Sequence, residues 1–160
     1  CWLAMALFRL GEPERGTELL HALLPETHPC ETYLAEPYVL AGDVYTAPEQ
    51  EGRAGWSWYT GAAGWYCQTA MRELLGLKLR RGALRIHPNL PPDWPGYEAE
   101  WKSGNWTLHI TVQRGEGCQL LLDGIKQEDE IPLGALTGRH ELKLTLPSGK
   151  SSGVFGKKDV

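Results

Sequence analysis

The first ten residues, CWLAMALFRL, are apolar on nearly every side of a helix: Trp2, Leu3, Ala4, Met5, Ala6, Leu7, Phe8 and Leu10 surround the single charge of Arg9. This pattern predicts a buried helix over residues 1–10, with Gly11 as its stop. Pro13 stands where a first helical turn tolerates it. Leu19, Leu20, Leu23 and Leu24 give a second helix its apolar face, and Pro25 follows it. The two read as a short helical hairpin. Residues 26–59 lose the helical period and are interrupted by Pro29, Pro37 and Pro48. A segment this long without regular structure is usually functional or tightly packed on a scaffold. A third helix is predicted over residues 61–75, where Ala63, Tyr66, Cys67, Ala70, Met71, Leu74 and Leu75 share a face and Gly76 closes it.

The second half changes period. Residues 84–87 alternate, and residues 106–113 do so cleanly, with Trp106, Leu108, Ile110 and Val112 on one face and Thr107, His109, Thr111 and Gln113 on the other. Leu120 and Leu122 precede Asp123-Gly124, a strong tight-turn signal. Leu142, Leu144 and Leu146 form a last strand. Short strands with turns between them predict an antiparallel β-sandwich. From Ser148 the chain is rich in Gly, Ser and Lys, and this tail is expected to be flexible.

The run GWSWYTGAAGW, residues 55–65, carries the most chemistry. Trp56, Trp58 and Tyr59 lead into Thr60-Gly61-Ala62-Ala63-Gly64, and the third helix follows at once. Thr60 is placed as its N-cap. The small residues after it leave backbone N–H groups open to close approach. A helix start of this kind suits an anion, and aromatics beside it suit a sugar ring. The alternative is a capped core helix with buried tryptophans.

The formal charge of the 160 residues is -4 and the pI is near 5.7, which disfavours nucleic acid or an anionic membrane as partner. No apolar run approaches the ~20 residues needed to span a bilayer. The four cysteines, Cys1, Cys30, Cys67 and Cys118, form no CxxC or Cys/His cluster, so no metal site is expected. Cys67 and Cys118 read as small buried hydrophobes. Their scatter fits a reducing compartment. An uncapped buried helix at residue 1 leads to the expectation that the chain is cut from a longer protein.

Several motifs occur in a fixed order: EPYVLAGDVY (residues 36–45), GRAGWSWYTGAAGW (52–65) and LLGLKLRRGALRIHPNLPPDWPGYE (74–98). Together they resemble the carboxy-terminal part of the cellobiose/chitobiose phosphorylase family, glycoside hydrolase family 94. Their form is closest to the phosphorylase-like domain of cyclic β-1,2-glucan synthases and to β-1,2-oligoglucan phosphorylases. The resemblance implies an α+β fragment. Residues 1–80 would be the last helices and active-site loops of an (α/α)6 barrel. Residues 81–147 would be a small antiparallel β-sandwich region, and 148–160 a flexible tail. Such enzymes cleave a β-glucosidic bond with inorganic phosphate and invert the anomeric carbon, releasing α-glucose 1-phosphate. Because phosphate is itself the nucleophile, one carboxylic acid suffices.

By the same resemblance Thr60 and Gly61 match a phosphate-binding Thr-Gly pair. The family's general-acid Asp lies upstream of this chain, so no catalytic residue is assigned within it and the fragment alone is expected to be inactive. A phosphate-binding His and Arg also lie upstream; His21, His28, His87, His109 and His140 are not candidates for that role. Ala41-Gly42-Asp43 replaces a glutamine that contacts the acceptor in cellobiose-specific members, which favours β-1,2-glucans. Glu36, Asp43 and Trp58 are the candidate substrate-binding residues. Glu36 either lines the sugar site or bonds backbone groups in the long loop. Asp43 either meets an acceptor hydroxyl or caps its loop. Arg53 either adds charge near the phosphate or forms a surface or structural ion pair. Of Trp56 and Trp58, one is expected to be buried and the other exposed. The rigid segment 91–96 is expected to stitch the β layer to the barrel.

The implied partners are inorganic phosphate or α-glucose 1-phosphate, a β-glucan oligosaccharide, the rest of the parent chain and, in a homodimer, a second copy. No cofactor is expected. The implied setting is the cytoplasm; an inner-membrane parent would carry this domain in the cytosol. The competing reading is a non-catalytic carbohydrate-binding β-sandwich whose own tryptophans bind sugar.

Overall fold

The computed structural model describes residues 1–148 except Pro37 and Tyr59; the rest of the glycine- and serine-rich tail, 149–160, lies outside the described residues. Two compact units result, Cys1–Leu74 and a second from Leu75 onward. The fold is α+β, with a few helices first and two sheets after them.

In the first unit, α1 (Trp2–Arg9) packs on α2 (Pro13–Ala22). Gly11 turns the chain between them in the left-handed region, at φ 80°. Gly16 brings the two helices close: a Cβ there would stand 3.0 Å from the ring carbons of Phe8. Helix α1 is not buried all round, as its composition predicts. Ala4, Leu7 and Phe8, spaced for one helical stripe, are buried, whereas Trp2, Leu3 and Leu10 are exposed. Trp2 lies edge-on to Trp65, with ring centroids 5.4 Å apart.

The third predicted helix is real but changes geometry midway. Helix α4 (Thr60–Thr69) runs into a π-helical turn, Ala70–Leu74. Around this junction Thr69, Glu73 and Leu74 are buried. Ala63, Cys67 and Met71 of the predicted face are exposed, and Cys67 is therefore not the buried hydrophobe that its helix position suggests. Thr69 donates its hydroxyl to the Trp65 carbonyl at 2.7 Å. The Glu73 carboxylate meets the Arg9 guanidinium, which donates through Nε at 3.0 Å and Nη2 at 2.8 Å. This pair ties the π-helical turn to the end of α1.

Among the described residues the second unit has eight strands. A three-stranded sheet has the order β1-β2-β7, formed by Leu77–Arg80, Ala83–Ile86 and Glu130–Pro132. A five-stranded sheet has the order β3-β4-β8-β5-β6, from Gly96–Ser103, Trp106–Gly115, Gly138–Pro147, Gln119–Leu122 and Ile125–Gln127. The expected all-antiparallel arrangement is corrected at its centre: β4 and β8 are parallel, in register from Trp106 opposite Gly138 to Gly115 opposite Pro147. The alternation in β4 places Leu108, Ile110 and Val112 in the core beside Leu142 and Leu144 of β8. Cys118 is exposed, again unlike a buried hydrophobe.

Two polar anchors order the unit's irregular segments. Arg114 donates to three carbonyls of the proline-rich segment, those of Trp94 (2.8 Å), Pro91 (2.8 Å) and Leu90 (3.3 Å). The Tyr97 hydroxyl donates to the Leu75 carbonyl at 2.6 Å, and burial pushes its pKa well above the usual phenol value. Gly76 (φ 73°) is required twice over, since a Cβ there would also meet the His87 backbone at 2.1 Å. Ser148, the last of the described residues, is held, its N–H and hydroxyl both donating to the Gly115 carbonyl.

The Arg9–Glu73 pair gives a direct test of the first unit. Arg9→Met removes the guanidinium from a carboxylate that is 1% exposed. Breaking a buried pair costs about 3–5 kcal/mol, but the Arg9 side chain is 60% exposed and solvent screens it. The expected loss is about 1–2 kcal/mol, read from the urea midpoint of the chain with helix α2 reported separately by amide exchange.

Candidate functional site

The long stretch between α2 and α4 is not formless. A single 3-10 turn (Pro25–Thr27) and a short helix, α3 (Cys30–Tyr33), precede it. Tyr33 is buried, its ring stacked on His28 at 4.7 Å, and its carbonyl accepts the Ala54 N–H at 2.9 Å. Around this anchor, residues 42–45 and 53–56 run antiparallel through the Val44–Ala54 bridge. Gly42 N–H donates to the Trp56 carbonyl (2.6 Å), Gly55 N–H to the Asp43 carbonyl (2.9 Å) and Tyr45 N–H to the Arg53 carbonyl (2.9 Å). The return is what brings EPYVLAGDVY alongside GRAGWSW. A run without helical period thus hides a ribbon.

Asp43 locks this ribbon. Its Oδ1 accepts the Trp56 N–H at 3.0 Å. A side chain at Gly55 is incompatible with it, since a Cβ would stand 2.2 Å from the same oxygen. Asp43 therefore bonds backbone thirteen residues on rather than closing a local turn.

Glu36 meets Trp58. Its Oε1 accepts the indole Nε1–H at 3.0 Å, and that bond holds the carboxyl below the ordinary carboxylate range. Trp58 adopts φ 65°, a left-handed conformation that costs a bulky residue about 1–3 kcal/mol. The conformation presents the indole to Glu36 and to the ring of Tyr38, edge-on at 5.9 Å. Trp56 and Trp58 are both exposed, at 67% and 64%. The expectation that one is buried is thus corrected: the ribbon's backbone pairing leaves both indoles outside. Tyr38 was not among the sequence-derived candidates; its signal is its place two residues after Glu36. Beside this cluster Tyr45, Arg53, Ala54, Gly55, Trp56 and Ser57 line an open depression of about 350 Å³.

Helix α4 begins two residues beyond Trp58, and Thr60 is its first helical residue rather than the cap before it. The position before it, Tyr59, lies outside the described residues. Gly61 and Gly64 have open space where a Cβ would stand. The helix start thus presents a hydroxyl and uncrowded backbone next along the chain from an exposed acid–aromatic cluster.

The tryptophans of the β unit are placed differently. Trp101 pairs with the fully buried Leu108, and Trp106 continues the same face. The opposite face carries Glu98, Glu100, Lys102, Thr107, His109 and Thr111. The two rings, 6.5 Å apart, support the core side of the sheet rather than an open platform.

Comparison with known proteins defines the class. Residues 1–76 match the glycosyl hydrolase 94 superfamily catalytic domain. The family recognised from the motifs is therefore the family found, and the chain carries part of such a domain. Among individual relatives, it is 37% identical over 118 residues to the cyclic β-(1,2)-glucan synthase NdvB of Rhizobium meliloti, covering 71% of this chain and 4% of that protein. It is 32% identical over 155 residues to an N,N'-diacetylchitobiose phosphorylase of Vibrio proteolyticus, covering 91% of this chain and 19% of that protein. A 1,2-β-oligoglucan phosphorylase of Listeria innocua is 26% identical over 108 residues, 62% of this chain and 10% of that protein. The chain spans a small part of the length of each.

Protonation of Glu36 can be read without a ligand. Its depressed pKa means that the bond to Trp58 is intact above the reference value of 4.5 and is lost as pH falls through the lower folded-state value. The Trp58 indole N–H resonance is expected to shift with a midpoint below 4.5. In Glu36→Gln the same resonance should stay flat through that range.

Proposed function

We propose that this chain is the carboxy-terminal segment of an inverting glycoside phosphorylase acting on β-1,2-linked glucans, or of the equivalent domain of a cyclic β-1,2-glucan synthase. The observation that carries the reading is the ribbon of residues 42–56. It sets the Glu36–Trp58–Tyr38 cluster on the run into the open start of α4. The helices are read as the last of an (α/α)6 barrel, completed by the rest of the parent chain. The family match over residues 1–76 supports this, and so does the similarity to the phosphorylase relatives.

In this reading Thr60 and Gly61 hold the phosphate. The Thr60 hydroxyl donates to one oxygen, and the first free N–H groups of α4 and its dipole favour the charge. Held there, phosphate attacks the anomeric carbon from the face opposite the leaving oxygen, so the configuration inverts. A carboxylic acid from the upstream part of the parent protonates the leaving oxygen. Trp58 offers an apolar ring face to a glucose unit, and Glu36 fixes that ring while keeping a second carboxylate oxygen for a sugar hydroxyl. Asp43 holds the ribbon, with Gly42 leaving room where a longer acceptor-contacting side chain would stand. The reaction belongs to the cytoplasmic side, where phosphate and sugar phosphates are present.

Two measurements test this reading on the complete phosphorylase that carries the segment. Thr60→Val keeps the shape and removes one donor to a charged oxygen, a bond worth about 1.5–3 kcal/mol. Phosphate affinity should fall about 10- to 150-fold while binding of the oligosaccharide changes little; unchanged phosphate dependence removes Thr60 from the site. In the synthetic direction, α-glucose 1-phosphate should extend sophorose faster than cellobiose. The reverse preference contradicts the β-1,2 reading while leaving the phosphate site standing.

A further inference from the structure

The ribbon that carries the Glu36–Trp58–Tyr38 cluster has more aromatic surface than one sugar ring needs. Tyr38, Tyr45, Trp56 and Trp58 are all exposed, and so is Val44. Contiguous apolar surface held away from the core marks a contact site, and rings with an apolar face and a polar edge suit ligands of mixed character. Tyr38 and Trp58 belong to the cluster at Glu36. Tyr45 and Trp56 line a different place: with Arg53, Ala54, Gly55 and Ser57 they surround the open depression of about 350 Å³.

The pairing of the ribbon's arms builds this depression. Tyr45 donates its N–H to the Arg53 carbonyl at 2.9 Å, so the two residues stand opposite each other, and the Arg53 N–H donates to the Gln50 carbonyl at 3.1 Å. Ala54 is buried, its N–H bonded to the Tyr33 carbonyl. Trp56 is fixed through its N–H on Asp43. The backbone of the lining is thus held while its larger side chains stay open to water.

Arg53 is the charged member of this lining, and it is uncommitted. It is exposed, and among the described residues its guanidinium makes no ion pair and no hydrogen bond. The ion pair weighed for it from the sequence is therefore not formed there. The space it lines ends at Ser57 and includes neither Thr60 nor Gly61. A planar fork of five donors, in one lining with two aromatic rings, suits a ring rich in hydroxyls. Neighbouring hydroxyl oxygens accept from the guanidinium, and the apolar face of the sugar lies on the indole. The volume is near the lower end of small-molecule sites, about 300 Å³, which is room for a single unit.

Chain order gives the direction. Trp56, Trp58 and Thr60 follow one another at two-residue steps. The Cα atoms of Trp56 and Trp58 can stand at most about 7 Å apart, a separation of the order of one sugar unit. Phosphate is held at Thr60 in the reading above, so Trp56 is one step further from the reacting end than Trp58.

We propose that Arg53, Trp56 and Tyr45 form a further sugar position on the acceptor side, which takes the third glucose unit counted from the end that phosphate attacks. This rests on the phosphorylase reading and adds to it a length requirement that the Trp58 cluster alone does not impose. Arg53 and Trp56 contribute binding rather than chemistry, so the preference appears as affinity for longer chains.

The test is calorimetric binding to the complete phosphorylase that carries the segment, with the β-1,2-linked disaccharide and trisaccharide of glucose as probes. The wild type should bind the trisaccharide about tenfold more tightly than the disaccharide, the scale of hydrogen bonds to a charged group. Arg53→Leu and Trp56→Ala should each remove most of that advantage, while affinity for the disaccharide and for phosphate changes little. Arg53→Leu leaves every backbone bond of the ribbon in place and decides alone if Trp56→Ala fails to fold. Equal affinity for the two sugars in the wild type overturns the proposal and leaves the phosphorylase reading standing. So does an advantage that survives both variants, or a loss in Arg53→Leu shared equally by the two sugars, which would put Arg53 at the cleaved bond. A fall in phosphate affinity alone would put Arg53 at the phosphate and overturn the proposal as well. A protein that binds neither sugar overturns the β-1,2-glucan reading itself, and the proposal with it.

Discussion

The carboxylate of Asp43 fills the space in which a side chain at Gly55 would stand, and the candidate site depends on that exclusion. With the carboxylate seated there, Trp56 donates its N–H to it and the two arms of the ribbon lie in register. Move the arms apart and Glu36 no longer meets Trp58, twenty-two residues away. Trp58 would also lose the partner that offsets its left-handed backbone. An exposed acid, seated by a missing side chain rather than by burial, thus organises a surface that stays open to water.

The two units are stabilised by different means. The helical unit relies on close backbone approach at Gly16 and on one long-range ion pair at the π-helical turn. The β unit relies on alternation, with fully buried leucines and isoleucines in adjacent strands. Its irregular stretches are held by single polar residues that each serve several backbone groups. Arg114 does this for three carbonyls in and beside the proline run, those of Leu90, Pro91 and Trp94. Proline has no N–H to offer, so such a segment is ordered through its carbonyls, and a planar guanidinium with five donors suits that task.

The legible parts of the fold were those with a strong local period. The strict alternation of β4 appears where the pattern places it; helix α2 is present but ends at Ala22, so of its expected face Leu23 and Leu24 lie beyond the helix and only Leu20 is buried. Strand β3 escaped notice because Pro95-Gly96 and the charges of Glu98, Glu100 and Lys102 mask the inward series Tyr97, Ala99 and Trp101. The parallel pairing of β4 and β8 could not be read at all, since a period of two is the same in both senses. In the first unit the expected face holds at Leu74 but not at Ala63, Cys67 and Met71, and the other buried positions are Thr69, just before the π-helical turn, and Glu73 within it. Chemistry singled out Glu36, Asp43 and Trp58 one at a time. What each touches is set by contacts thirteen and twenty-two residues apart, and only the ribbon decides those.

The central place of β8 bears on how the β unit is made. The strand synthesised last of the eight lies in the middle of the five-stranded sheet, between β4 and β5. Until residue 147 has left the ribosome, the β3–β4 and β5–β6 hairpins have no common edge to share. Each hairpin alone is at best marginally stable. The apolar side chains of Leu108, Ile110, Val112 and Leu120 wait uncovered during that interval. Assembly is therefore a single late event, in which one ten-residue strand slots between two preformed ribbons and closes both at once. A nascent chain that stalls before Gly138 leaves the β8-facing edges of β4 and β5 open to pairing with neighbouring chains.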